Sequence, residues 1–384
     1  MVSNKKDNVL AVLSLSGGND GLNTVIPMNN GLYRDFRPNL GIAEEQIIPL
    51  KDPTTGKDSG FGFHPSMAPM IRFWEEGKMA IFLGIGYPNP SYSHFRSMDI
   101  WHTCEPDKIG NEGWLGQVIK DLDPNSENVL TGVNFGRGLP RALAKEGVPV
   151  ASVGDLETYG LLTGIQGEDQ RTEALDVFGR MYSPTIGTGY ALDYIRRTGT
   201  DALKGADILA TAPGLYSSDV EYSATAVGQY MKNIAQTHLA GFGTRVLYTT
   251  SPYNGFDTHA SQAQAHSGLW TDVSANVETF IDDLRGHDAM DNVTLLMFSE
   301  FGRRVGDNGS GTDHGAASVA FAIGEDVKGG FYGEYPSLDQ DKLIEGGNLD
   351  HSMDFREVYS TILEDWLHID PVPIAGNFTK VNFL

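Results

Sequence analysis

The sequence predicts an α/β fold, a mostly parallel central sheet covered by helices on both faces, in one domain. Three observations predict it. Short, wholly apolar runs recur along the chain, as strands buried on both faces do. Segments of helical periodicity separate these runs, the alternation that builds parallel sheets. Neither an internal repeat nor a linker interrupts the 384 residues, a length that one large α/β domain can fill.

Residues 9–15 form the first apolar run and end in Ser16-Gly17-Gly18-Asn19-Asp20, so Asp20 is expected at the carboxyl end of a first strand. A proline-punctuated loop region follows over 27–53. Met67, Met70, Ile71 and Trp74 recur at helical spacing and predict a helix over 64–76. Residues 79–85 read as a second buried strand, followed by a Pro-rich turn and a helix from Ser93-His94 through His102. Short strands are expected near 129–135 and 148–153, and helices at 172–182, 190–197 and 220–239. A strand at 245–250 leads to Asp257-Thr258-His259, then a long helix over 260–284. The β-branched run 293–298 enters Ser299-Glu300-Phe301-Gly302-Arg303 and a glycine-rich loop to Thr312-Asp313-His314-Gly315. A strand over 317–323 and an amphipathic helix over 355–367 complete the pattern, with residues 155–240 read as an insertion forming a cap or side layer.

The formal net charge is −22, from 28 basic and 50 acidic residues, which argues against a nucleic-acid or anionic-membrane partner. One cysteine, Cys104, excludes an internal disulfide and a multi-cysteine zinc site. Two lysines precede the first apolar run in the manner of an export signal. That run is too short, lacks a small-residue cleavage site and enters a Gly-Gly turn, so it reads as a core strand. No stretch approaches the roughly 20 apolar residues of a membrane span.

Polar residues gather where strands end, the place where open α/β sheets build their sites. Asp20, Ser93 with His94, Asp257 with His259, Glu300 and His314 are the candidates. Asp257 and His259 stand two apart, on one side of an extended backbone. Carboxylate together with imidazole suits zinc, manganese or ferrous iron better than magnesium or calcium. Ser93 reads either as a helix N-cap or as a nucleophile at a helix terminus that favours anions. Arg303, or His94, could hold anionic oxygens. His102, His238, His266, His287 and His368 fall on helices or their ends and read as structural, while His64 is open between the two roles.

Gly17-Gly18-Asn19-Asp20-Gly21-Leu22-Asn23, Phe63-His64-Pro65, Ser93-His94-Phe95, Gly113-Trp114-Leu115-Gly116, Asp257-Thr258-His259, Ser299-Glu300-Phe301-Gly302-Arg303 and Thr312-Asp313-His314-Gly315 together resemble the bacterial family catalogued as domain of unknown function 1501. That family is similar in fold to the alkaline phosphatase and sulfatase superfamily, so the resemblance implies a three-layer α/β/α sandwich. It implies metal ligands at Asp20, Asp257, His259, Glu300 and His314, with Ser93 in the nucleophile position. Phe301 stands where the superfamily has a histidine ligand, so Asp257, His259 and His314 make a fuller metal position than Asp20 and Glu300. One or two divalent ions are expected, with Asp313 orienting His314. The implied activity is hydrolysis of phosphate or sulfate esters, on a small-molecule or glycan ester. The rival expectation is a metal-binding scaffold that keeps the fold without catalysis. The family's usual export implies a periplasmic or secreted location, although this chain carries no signal peptide.

Overall fold

A strand with apolar residues on both faces must be covered on both sides, and Val9–Ser14 (β1) meets that demand: all six residues are buried. Val9, Ala11 and Leu13 enter one hydrophobic cluster, and Leu10 and Val12 enter another. The computed structural model describes residues 7–53, 55–156, 159, 165, 167–181 and 189–384. The lysines of the signal-like start, part of the 155–240 insertion and the last residue of the 172–182 helix lie outside the described residues.

The remaining strands, in chain order, are β2 (Val25–Pro27), β3 (Ile48–Lys51), β4 (Asp58–Phe63), β5 (Met79–Gly86) and β6 (Gly132–Phe135). After these come β7 (Ala151–Val153), β8 (Val246–Thr250), β9 (Val293–Phe298), β10 (Ser318–Gly324), β11 (Gly330–Tyr332) and β12 (Met353–Asp354). Nine of them form one sheet in the order β11-β5-β10-β9-β1-β8-β6-β7, with β12 also on β5. β1 pairs in parallel with both β8 and β9. Among the described residues of this sheet, only β10 runs against its neighbours, β5 and β9. Its reversal has a consequence for the site: the residues just before β10, His314 among them, reach the edge where the parallel strands end.

The longer helices are α1 (His94–Thr103), α2 (Trp114–Leu122), α3 (Glu168–Met181), α4 (Tyr190–Leu209), α5 (Ala226–Leu239), α6 (Gln262–Gly286) and α7 (Phe355–Thr361). Met231 and Ile234 of α5 and Trp270, Val273 and Phe280 of α6 bury against the odd-numbered side chains of β1. Trp101 of α1, Trp114 and Val118 of α2 and Tyr359 of α7 bury against the other face. The predicted three layers are therefore present: helices, mostly parallel sheet, helices. Each large apolar side chain so buried stabilises the fold by about 1.5–3 kcal/mol.

Three expectations are corrected. The stretch read as loop over 27–53 contributes β3 and the last residue of β2 to a second, three-stranded antiparallel sheet, β2-β4-β3. Prolines at 27 and 49 hid these strands, because proline lowers the strand reading of a run although edge positions tolerate it. The helix expected over 64–76 is a 3₁₀ segment, Pro65–Met70, followed by one helical turn, Ile71–Glu75, with Pro69 inside the first piece. The helix expected from 220 begins at Ala226, where the Thr225 side chain caps Gly228 N.

Candidate metal centre

Four segments meet at the carboxyl edge of the sheet, and backbone geometry decides how closely. Gly17 and Gly18, after β1, have φ of +119° and +79°. A Cβ at Gly18 would collide with the Phe301 ring, and one at Gly17 with the backbone of Phe256 and Asp257, so the loop after β1 can approach both only as glycine. That approach lets Gly17 N donate to Glu300 Oε1 at 2.9 Å.

Asp257 is the hub. Its Oδ1 lies 3.0 Å from His259 Nε2 and 3.1 Å from His314 Nε2, and its Oδ2 lies 3.4 Å from His94 Nε2. His259 Nε2 and His314 Nε2 are themselves 3.0 Å apart. One donor atom each from His94, Asp257 and His314 fall within 4.8 Å of one another. His259 closes the group on the Asp257–His314 side.

Each imidazole is backed on its other nitrogen. His94 Nδ1 lies 2.8 Å from Glu300 Oε1, His314 Nδ1 lies 2.7 Å from the Tyr92 carbonyl, and His259 Nδ1 lies 3.4 Å from Asp313 Oδ1. A carbonyl can only accept, so His314 donates from Nδ1 and turns the Nε2 lone pair inward. The carboxylates hold the other two rings in the same sense. Three inward lone pairs and a carboxylate thus face one point, an arrangement that repels itself unless a proton or a cation sits there. His94 Nε2 is buried and makes no hydrogen bond.

The titration behaviour follows. Burial pushes the Asp257 carboxyl up, but Arg303 beside it, bonded at 2.7 Å, with His314 and His94, overrides burial and holds it down at about 2. The hydrogen bond to Glu300 raises His94 above its ordinary value, against burial. Burial lowers His314, against the bonds to Tyr92 and Asp257.

The residues present fit a divalent ion. Tetrahedral ligands about 2.0–2.1 Å from zinc stand roughly 3.3 Å apart. His259 and His314 stand 3.0 and 3.1 Å from Asp257 Oδ1 and His94 3.4 Å from Oδ2, near that spacing, and a set of imidazoles and a carboxylate, each imidazole oriented from behind, is the chemistry such ions select.

Several sequence expectations change here. Asp20, expected as a ligand, is buried and committed elsewhere. It accepts from Arg37 at 2.5 and 3.0 Å and from Gln262 at 2.5 Å, and it caps the one-turn helix Gly21–Thr24. Burial pushes its carboxyl up, and Arg37 overrides burial to hold it below the usual range. Glu300, expected as a ligand, points its oxygens at Gly17 N, Ser299 Oγ and His94 Nδ1, so it orients His94. Arg303, expected to grip substrate oxygens, spends its donors inside the protein: on the carbonyls of Gly17, Gly18, Phe256 and Thr312, and on Asp257. It binds three loops together, and its full burial keeps it from a ligand. Asp313 faces His259 rather than His314. Phe301 walls the site apolar, with its ring 4.8 Å from His94 and 4.9 Å from His314.

Ser93 stands at the N-cap of α1, exposed, and its side chain makes no capping hydrogen bond. The first amides of that helix have no partner within it, and among the described residues neither they nor the Ser93 hydroxyl is bonded by another group. Sequence reasoning missed Arg304, the neighbour of Arg303. It is half-buried, its Nε is unbonded, and it forms no ion pair among the described residues. The Arg-Arg dipeptide was the available signal, since one strand-like step sends the two side chains to opposite sides.

His64 and His266 belong to a buried network instead. His64 Nδ1 accepts from Ser66 N, and His266 Nε2 meets Asn19 Oδ1 at 3.1 Å.

The family described as "Protein of unknown function (DUF1501)" matches residues 186–374. The chain resembles that family. Among solved structures it is similar to a sulfatase from Pseudoalteromonas sp., at 12% identity over 98% of this chain and 70% of that one, with a TM-score of 0.42. It is also similar to a phosphonate monoester hydrolase from Silicibacter pomeroyi, at 11% identity over 97% and 75%, TM-score 0.41. A protein in the alkaline phosphatase superfamily from Vibrio parahaemolyticus gives 10% identity over 86% and 63%, TM-score 0.34. None of the curated proteins matches the sequence.

Proposed function

We propose that this single-domain chain is a metal-dependent hydrolase of phosphate or sulfate esters, with His94, Asp257, His259 and His314 holding one divalent ion, zinc or manganese. The observation that carries the reading is the convergence of three backed imidazoles on the carboxylate of Asp257. A divalent ion bound there would supply Lewis-acid polarisation of an ester oxygen and lower the pKa of an attacking hydroxyl.

The chain's own residues do the rest. Ser93 presents a free hydroxyl next to the ligand His94, as the nucleophile that attacks phosphorus or sulfur. The open amides of α1, with the helix dipole behind them, favour the anionic oxygens of the ester. Arg304 replaces Arg303 as the cation able to pair with those oxygens. Phe301 excludes water from the side of the site facing the sheet. The withdrawal of Asp20 and Glu300 from ligand roles favours one ion over two.

The test is a screen of aryl phosphates, phosphodiesters and aryl sulfates on the chelated protein with zinc or manganese added back. Turnover that falls at least 100-fold in Ser93→Ala supports the reading, and full activity in that variant refutes the nucleophile. The same withdrawal of Asp20 and Glu300 also favours a second reading, a metal-stabilised scaffold. On that reading metal raises the melting temperature while no ester in the screen turns over.

A further inference from the structure

Beside the metal centre, at the carboxyl ends of β1, β8 and β6, the chain forms a cleft of about 400 Å³. Ser16, next to the Glu300-binding Gly17, and Met98, one helical turn beyond His94, line its near side. Its floor holds hydrogen-bonding groups without charge. Tyr248 OH meets His102 Nε2 at 3.1 Å, burial pushes the tyrosine up to about 12, and burial pushes the histidine down to about 3. Both are therefore neutral near pH 7. The Ser14 hydroxyl there is fully buried against Tyr248. The walls are apolar and aromatic, with Phe135, Tyr230 and Tyr253 among them. Tyr253 is 74% exposed and Leu139, at the rim, 47%.

Arg137 stands at the far lip, just past β6. It is exposed and makes no ion pair or hydrogen bond among the described residues, in a chain of net charge −22. A guanidinium with no ion pair among the described residues, at the lip of an apolar cleft, is free to pair with an anionic ligand. β6 lies two strands from β1, about 10 Å along the sheet edge. That span suits one ring.

We propose that this cleft binds a single-ring molecule carrying a negative substituent. The ring packs on the tyrosine-lined walls and the anion pairs with Arg137. Aromatic acids and sugar acids share this chemistry. On the reading of the preceding section the ring is the leaving-group half of the ester. Binding of the free acid, however, needs neither metal nor Ser93.

The experiment titrates the chelated full-length protein by calorimetry with 4-hydroxybenzoate against neutral 4-hydroxybenzamide, and with glucuronate against glucose. At least one acid is expected to bind saturably below about 10 mM, and about tenfold more tightly than its neutral partner, the scale of one charge-assisted pair. Arg137→Ala should abolish that preference. Ala226→Trp, at an exposed lining position, should fill the cleft and remove binding while leaving the melting temperature unchanged. Saturation by the benzoate alone assigns an aromatic acid, and by the glucuronate alone a sugar acid. No saturation by either, no charge preference, or wild-type binding in Ala226→Trp overturns the proposal. Asp257→Asn separates the two claims: it should end hydrolysis and leave acid binding intact.

Discussion

Removing Arg303 tests how the site is held together. Its guanidinium is fully buried and supplies four backbone carbonyls and the Asp257 carboxylate from three different loops. Arg303→Met keeps most of the apolar stem and deletes every donor. Breaking a buried charged network costs about 3–5 kcal/mol. The carbonyls of Gly17, Gly18, Phe256 and Thr312 dominate that loss, since each buried acceptor left unpaired costs about 1–3 kcal/mol before the backbone relaxes. The Asp257 side chain, 24% exposed, recovers part of its loss from water. We take about 4 kcal/mol. At roughly 2.1 cal/mol/K per residue, 384 residues give an unfolding entropy of about 0.8 kcal/mol/K, so the melting temperature should fall by about 5 °C. Arg303→Lys should recover little, because one ammonium cannot span five acceptors. Differential scanning calorimetry on metal-free protein reads the shift. A change under about 1 °C in Arg303→Met would refute the staple role and return Arg303 to the list of ligand-binding residues.

Two further outcomes follow from the same geometry. Glu300→Gln removes the charge that orients and raises His94, and should weaken metal affinity about 10–100-fold with the metal-free melting temperature little changed; an unchanged dissociation constant would count against Glu300 as the group behind a ligand. His64, His102 and His266 are buried, and burial lowers them to about 4, 3 and 3. Folded values below the unfolded value near 6.5 mean that protons favour the unfolded chain. Their stabilisation is therefore complete above about pH 6.5 and lost as pH falls toward 4, at about 1.4 kcal/mol per pH unit for each. Urea melts from pH 7 to 4.5 should show this decline, less steep by about one histidine's share in His102→Gln. An unaltered slope in that variant would contradict the buried neutral state.

The layers of the fold were legible because strands covered on both faces leave largely apolar runs, and 9–15, 79–85 and 293–298 are such runs. The direction of β10 was not, since residues 317–323 read the same whichever way the strand lies. Prolines 27 and 49 concealed the small sheet. In the site, residue types at strand ends picked out Asp20, Ser93, His94, Asp257, His259, Glu300 and His314, of which Asp257, His259, His314 and His94 meet. Their roles were less legible. Asp20 is neutralised by Arg37, a residue in the segment read as loop, and Glu300 is turned by Gly17, 283 positions away. Nor does a sequence show which of two adjacent arginines faces inward: Arg303 is 1% exposed and Arg304 is half-buried.

The central claim is that Asp257 and its imidazoles form a metal centre. Calorimetric titration of the chelated protein with zinc chloride, and separately with manganese chloride, addresses it without any substrate. One saturable equivalent is predicted, tighter than any response to magnesium, and absent in both Asp257→Asn and His314→Ala. No saturable binding of either ion, or binding of wild-type strength in those two variants, would contradict it.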